Sequence, residues 1–216
     1  MRKKANLLIV LILCGLLILT ACAPKVVDEV EAKEAGLALI NLAFGVKETE
    51  AEVKYFERAG ESYKNGAVVQ YGTEEPRRLY TVIVSTEDGD LLYYAEVNAV
   101  TGVAYRVQRN LSTIHLTQEQ SAEAASLGTL DSFSTANFSE KAQDAARVAE
   151  EWVSERLESD VPILRTIPNN TFTDSEDFPL VRMDSYVLLE NGTIDLVTVC
   201  WPSMDVVELA LLNQGK

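Results

Sequence analysis

The chain is short of the residues that most enzymatic chemistry needs. It has one histidine, His115, and three cysteines, Cys14, Cys22 and Cys200, in 216 residues. Zinc sites and most hydrolases draw their ligands and general bases from those two residue types, so both classes lose ground. Cations are scarce too: 19 Lys and Arg stand against 33 Asp and Glu, for a net charge of -14. A phosphate backbone would be repelled, which excludes nucleic acid as a partner. No Gly-x-Ser-x-Gly elbow, Walker loop, His-Glu-x-x-His pair or dinucleotide fingerprint occurs. Thr86-Glu-Asp-Gly-Asp90 lacks the alternating ligands and terminal glutamate of an EF-hand loop. No catalytic residue, metal ligand or cofactor is therefore assigned, and the chain is expected not to be an enzyme. What the chain does have is 47% apolar side chains, enough to build a core.

The first residues carry an address. Met-Arg-Lys-Lys precedes an apolar run from Leu7 to Leu19, and Leu19-Thr-Ala-Cys22 follows. The run falls short of the roughly 20 residues that a spanning helix requires, so it reads as a signal peptide. Leu19-Thr20-Ala21-Cys22 resembles the bacterial lipobox, in which the cysteine thiol accepts a diacylglyceryl group before cleavage. The resemblance implies a mature chain that starts at Cys22 and is anchored by acyl chains, palmitate among them, at the outer face of the cytoplasmic membrane. Cys14 then leaves with the signal and Cys22 is blocked, so Cys200 has no intrachain partner and reads as a small buried strand residue.

Beyond a tether at 22–27, hydrophobic periodicity divides the chain into two units. Val30, Ala35, Ala38, Leu39 and Leu42 recur at helical spacing, and Gly45 closes that helix. One or two strands are expected between Val53 and Gly72, then Leu79–Val84 and Leu91–Val97 joined by a turn at Asp88-Gly89, a strong hairpin signal. Residues 110–138 read as a linker, with Thr117-Gln-Glu-Gln120 able to cap a short helix. Ser139 is expected to cap a second helix bearing Ala142, Ala145, Ala149, Trp152, Val153 and Leu157 on one face. Extended segments follow, with Asn191-Gly192 repeating the hairpin signal. The halves match in order: Tyr80 and Tyr186 open corresponding strands, Gly89 and Gly192 close their turns, and a second turn follows at the same spacing. The expected fold class is α+β, with two tandem units, 28–109 and 139–216, each a helix packed on a three- or four-stranded antiparallel sheet.

The first unit resembles a PepSY domain. That family places a Val-Asp-Ala-x-Thr-Gly turn after the hairpin, and Val97-Asn98-Ala99-Val100-Thr101-Gly102 matches it with Asn for Asp. Asn at this position can bond the backbone across the turn, and Gly102 tolerates a left-handed backbone. Trp201-Pro-Ser-Met-Asp205 stands where the second copy of the turn would be, so the second unit is at best a degenerate PepSY-like copy. The resemblance carries no catalytic residues and points to binding, because the family includes propeptides of secreted metalloproteases. The expected function is that of a non-catalytic envelope lipoprotein that binds a protein or peptide, with an extracytoplasmic protease as a candidate partner. A solute-binding lipoprotein of a transporter and a structural envelope protein stay open as alternatives. Tyr93-Tyr94 and Trp201-Pro202 are candidate aromatic contacts, one of each pair being expected in the core.

Overall fold

The computed structural model describes residues 26–58, 61–64, 67–71, 77–126, 135–157, 160–175 and 178–212. The expectations for the signal segment 1–21 and for Cys22 lie outside the described residues. Helix α1 spans Glu29–Phe44 and is followed by strands β1 (Glu52–Arg58), β2 (Glu61–Lys64), β3 (Ala67–Tyr71), β4 (Arg77–Ser85), β5 (Leu91–Asn98) and β6 (Ala104–Arg109). A 3-10 turn at Leu111–Thr113 and helix α2 (Gln118–Ser126) lead to α3 (Thr135–Arg156), then β7 (Ile163–Ser175), β8 (Phe178–Leu189), β9 (Ile194–Trp201) and β10 (Asp205–Leu211). The fold class is α+β, and all adjacent strands of the main sheet pair antiparallel.

The two units do not keep separate sheets. Their strands merge into one eight-stranded sheet of order β1-β4-β5-β6-β10-β9-β8-β7, because the last strand of each unit pairs with the last strand of the other. The hairpin β2–β3 forms a small sheet of its own. The two long helices lie on one face, α1 over the first unit's strands and α3 over β7, β8 and β9. Strand alternation supplies the common core beneath them. Tyr80, Val82, Val84, Ala95, Val97 and Val107 from one unit join Val181, Met183, Val187, Val197, Val199 and Leu209 from the other in a single buried cluster.

Capping sets the ends of α1. Asp28 Oδ1 accepts from Glu31 N at 2.8 Å, and Gly45, at φ 65°, donates its N–H to Asn41 O. The buried face of α1 is not the one the spacing predicts. Ala32, Gly36, Leu37, Leu39, Ile40 and Ala43 are buried, whereas Val30, Ala38 and Leu42 are exposed. From Ala35 onward the helix is apolar at every position but Asn41, so periodicity alone does not choose a face there. The small stripe wins because Gly36 lets the helix backbone approach Val82: a Cβ there would stand 2.6 Å from Val82 Cγ2. Helix α3 buries Ala142, Ala145, Ala149 and Val153 as the pattern predicts. It begins at Thr135 rather than after Ser139, so Ser139 is inside the helix and is not its cap. Within the segment expected to be a linker, Thr117 and Gln120 form the expected reciprocal cap of α2, at 3.2 and 2.9 Å. Leu111, Ile114 and Leu116 pack with Leu180, Cys200 and Val207 against the sheet face away from the helices.

Backbone geometry fixes the repeat. Gly89 and Gly192, at φ 92° and 85°, each donate N–H to the third residue back, Thr86 and Leu189. Gly102 donates to Asn98 O and Met204 donates to Cys200 O, so Met204 occupies the left-handed place of Gly102, at φ 60°. The two turns are offset by one residue relative to the hairpins, because β5 carries an extra residue where its register with β4 shifts at Val84/Ser85. In this alignment Tyr80 corresponds to Met183 and not to Tyr186, which lies in the middle of β8.

Candidate binding site

Where β6 meets β10, the sheet face away from the helices carries a seam of charge. Arg106 lies on β6 and Glu208 on β10, and Arg182 reaches them from β8. Arg106 donates to Glu208 Oε1 through Nε at 2.8 Å and Nη2 at 2.7 Å, and Arg182 Nη2 donates to Glu208 Oε2. One carboxylate, only 4% exposed, thus holds a guanidinium from each unit. Glu96 adds a second carboxylate, with Oε1 3.6 Å from Arg106 Nη1 and Oε2 accepting from Tyr105 at 2.8 Å. Tyr94 donates to Gln108 and Thr198 to Asp184, both at 2.7 Å.

Burial and charge shift the titrating groups in opposite senses. Burial opposes the charged form of Arg106, but Glu208, Tyr94 and Glu96 outweigh it and hold the guanidinium above its ordinary value. Burial pushes the Tyr94 hydroxyl up. Cys200, at the back of the same face, is buried and its thiol is pushed up to about 12, chiefly by desolvation. A thiol in that state is a poor nucleophile at neutral pH. The two guanidinium groups and the two carboxylates of the seam balance in charge.

Two concavities lie on opposite faces of the sheet. A groove of about 450 Å³ runs beside the seam, with Leu79, Leu196, Ala210 and Leu211 as apolar walls and Arg77, Glu96 and Glu208 as polar ones. On the helix side, a cleft of about 430 Å³ lies where α1 and α3 converge, between the Phe44–Tyr93 stack and Trp152. Arg156 lines this cleft, and its Nη1 stands 2.8 Å from where a Gly45 Cβ would be, beside the C-terminal end of α1. A cation there offsets the partial negative charge of the helix terminus.

The outer strands β1 and β7 differ as edges. Strand β7 contains Pro168, and its register with β8 shifts three times, the usual ways in which an edge is blunted. Strand β1 pairs with β4 in unbroken register from Glu52 to Arg58 and contains neither proline nor bulge. No strand among the described residues pairs with its outer side. Tyr55 and Phe56 are 41% and 47% exposed on it, Tyr55 in edge contact with Tyr80 at 5.3 Å.

Of the residues marked in the sequence, Tyr93 lines the helix-side cleft, and the turn residues serve the fold. Val97 and Ala99 are buried; Asn98 Oδ1 accepts from Val100 N at 2.9 Å and Thr101 N at 3.1 Å. Val27 N donates to Ala99 O and Tyr80 donates to Val27 O, both at 2.8 Å. The motif turn therefore clamps the start of α1 to the sheet. Asp88-Gly89 and Asn191-Gly192 form hairpin turns, as expected. Trp201 is buried with Lys141 Nζ 4.6 Å from its ring centroid, and Tyr93 is stacked on Phe44 at the wall of the helix-side cleft. His115 is exposed. Sequence reasoning missed Arg106, Arg182, Glu96 and Glu208, whose signal is a charged residue at alternate positions of otherwise apolar strands. It also missed Tyr55 and Phe56 as edge residues. Among the described residues, no group of three or more His, Cys, Asp or Glu could hold a metal, and no helix is long and apolar enough to cross a membrane.

No protein-family model matches the sequence. No curated protein matches it. Among solved structures it is similar to a chain described as Bacillus megaterium YpeB C-terminal domain, at 10% identity and a TM-score of 0.40. The likeness covers 87% of this chain and 64% of that one.

Proposed function

We propose that the protein is a non-catalytic binding protein, held at the outer face of the bacterial cytoplasmic membrane by acyl chains on Cys22. Its partner is an extended peptide segment of another envelope protein, an extracytoplasmic protease being the candidate of interest. The observation that carries the binding mode is the contrast between the sheet edges. Strand β7 is interrupted, whereas β1 offers a regular row of backbone donors and acceptors beside exposed Tyr55 and Phe56. Backbone pairing would give such a complex its affinity and the two aromatic rings its selectivity. The anchor reading rests on the lipobox resemblance at Leu19–Cys22.

The test is a photo-crosslinking residue at Phe56 in the lipidated protein in its native membrane, with Leu164 on β7 as the comparison position. Capture of a defined chain at Phe56 and not at Leu164, lost when Tyr55 and Phe56 are both changed to lysine, is the expected result. Capture at neither position, or equally at both, overturns edge addition. The groove of about 450 Å³ favours the solute-binding alternative. A thermal shift with a small molecule that disappears in Leu196→Trp would select that alternative instead.

A further inference from the structure

The exposed apolar side chains are unevenly placed. Val30, Val100 and Val103 are 66%, 43% and 38% exposed, and all three surround the point where Val27 bonds to the motif turn. Phe56 pairs with Leu79, which pairs with Asn98, so Phe56 lies at the same end of the sheet. Leu212 bonds Ile194 beside the end of β10, and Leu164 follows Ile163, which pairs with Leu189. Antiparallel order puts those positions at that end too. At the opposite end, by the Thr86–Asp90 hairpin and the C-terminal turn of α1, the exposed large apolar residues among those described are Leu91 and Leu42.

Covalent geometry says what stands nearest to the valine-rich end. From Cys22 to Val27 the chain can reach about 17 Å at most. The opposite hairpin lies farther off by the length of β5, roughly 26 Å at strand rise. If Cys22 carries acyl chains, the end with Val30, Val100 and Val103 is the one that faces the bilayer. We infer that this end is a lipid-contact surface, on which the three valines rest against a zwitterionic membrane. The inference builds on the anchor reading and extends it from an attachment point to an orientation.

The charge around the valines selects the lipid. Asp28, Glu29 and Glu31 stand at the start of α1, with Arg77 and Arg78 nearby on β4. Such mixed charge suits neutral headgroups and would stand off a strongly anionic surface. The arrangement also gives the motif turn a second use: its variable position, Val100, becomes a lipid contact, while Asn98 and Gly102 shape the backbone.

The experiment uses the full lipidated chain in phosphatidylcholine vesicles that contain a spin-labelled lipid. A fluorophore is placed in turn at Val100→Cys, Val103→Cys and, at the opposite hairpin, Glu87→Cys, while mass spectrometry reads the acyl group on Cys22. The expected result is quenching several-fold stronger at 100 and 103 than at 87, weakened when anionic lipid is added. Equal quenching at all three positions on a chain whose Cys22 is acylated overturns the orientation and leaves the anchor intact. A Cys22 without acyl chains overturns the anchor reading and the orientation together.

Discussion

Val107 in β6 and Leu209 in β10 face each other across the seam between the units, and each is the other's counterpart in the internal repeat. The shift that carries Gly102 onto Met204 also carries Val107 onto Leu209, so the approximate two-fold axis of the fold passes through this pair. The symmetry stops at the side chains beside it. Gln108 opposes Glu208 while Arg106 opposes Ala210, so an acidic residue on one side of the axis answers a basic residue on the other. Pairing of two equivalent strands thus supplies backbone bonds, and the asymmetric pair supplies a fixed register.

Glu208 should be the most sensitive residue of this seam. Glu208→Gln would leave Arg106 and Arg182 facing each other without their shared carboxylate, and Arg182 Nε is already buried without an acceptor among the described residues. The expected loss is roughly 3 kcal/mol in urea unfolding. Replacing Arg106, Glu208, Arg182 and Glu96 together by Met, Leu, Met and Gln should recover most of it, because no buried charge is then stranded and the Gln can still accept from Tyr105. An unchanged unfolding midpoint in Glu208→Gln would show that backbone pairing alone holds the units together.

The close approach of α1 to β4 gives a second prediction. Gly36→Ala raises helix propensity by about 1 kcal/mol yet drives a methyl into Val82, so a net loss of about 2 kcal/mol is expected. The approach is backbone to branched side chain, with Val82 fully buried and unable to turn away. Val82→Ala opens the space, so the double variant should show a favourable coupling of at least about 1 kcal/mol relative to the summed single changes. Additive effects would mean that α1 shifts as a body to relieve the contact.

Much of this architecture was legible in the sequence, and the exceptions have definite causes. The hairpins at Gly89 and Gly192 were readable because a left-handed residue after a tight turn demands glycine or a close substitute. The face of α1 was not, because Val30 and Leu42 keep the same helical spacing as the buried stripe and only contact with Val82 separates the two. The pairing of Tyr80 with Tyr186 failed for a similar reason: counting from aromatics ignores the extra residue in β5, whereas the left-handed Met204 reveals it. The union of the two sheets had no local signal at all. It depends on β6 and β10 meeting over a distance of sequence that no periodicity spans. The same is true of the candidate site, since Arg106, Arg182 and Glu208 are ordinary surface-type residues until the sheet brings them together.

The motif turn predicts its own substitutions. Asn98→Asp keeps the oxygen that accepts from Val100 N and Thr101 N, and should unfold within about 0.5 kcal/mol of the parent. Asn98→Ala leaves both donors to solvent and should cost about 1 kcal/mol. Because the turn also holds Val27, the alanine variant should speed amide exchange at Val27 and not at Gly192, whose hairpin is made separately. Equal exchange at both sites would dissociate the turn from the start of α1.

Cys200 gives the pH dependence. Its thiol is pushed up to about 12 in the fold from a reference value of 9.0, so the folded protein keeps a proton that the unfolded chain releases near pH 9. This contribution to stability is fully present below pH 9 and is lost as pH rises from there toward 12, because unfolding then releases a proton. The slope is about 1.4 kcal/mol per pH unit. Cys200→Ala removes that slope at the cost of a small cavity, so the two proteins should differ in the pH dependence of their stability and not only in its level. Tyr94, pushed up by burial as well, adds the same alkaline loss to both and cancels in the comparison. Urea midpoints from pH 8 to pH 10 should therefore converge, the parent losing about 1.4 kcal/mol more than the variant by pH 10. Parallel curves would mean that solvent reaches the thiol in the native state, and a maleimide reagent should then label Cys200 without denaturant, which the buried sulfur as described does not permit.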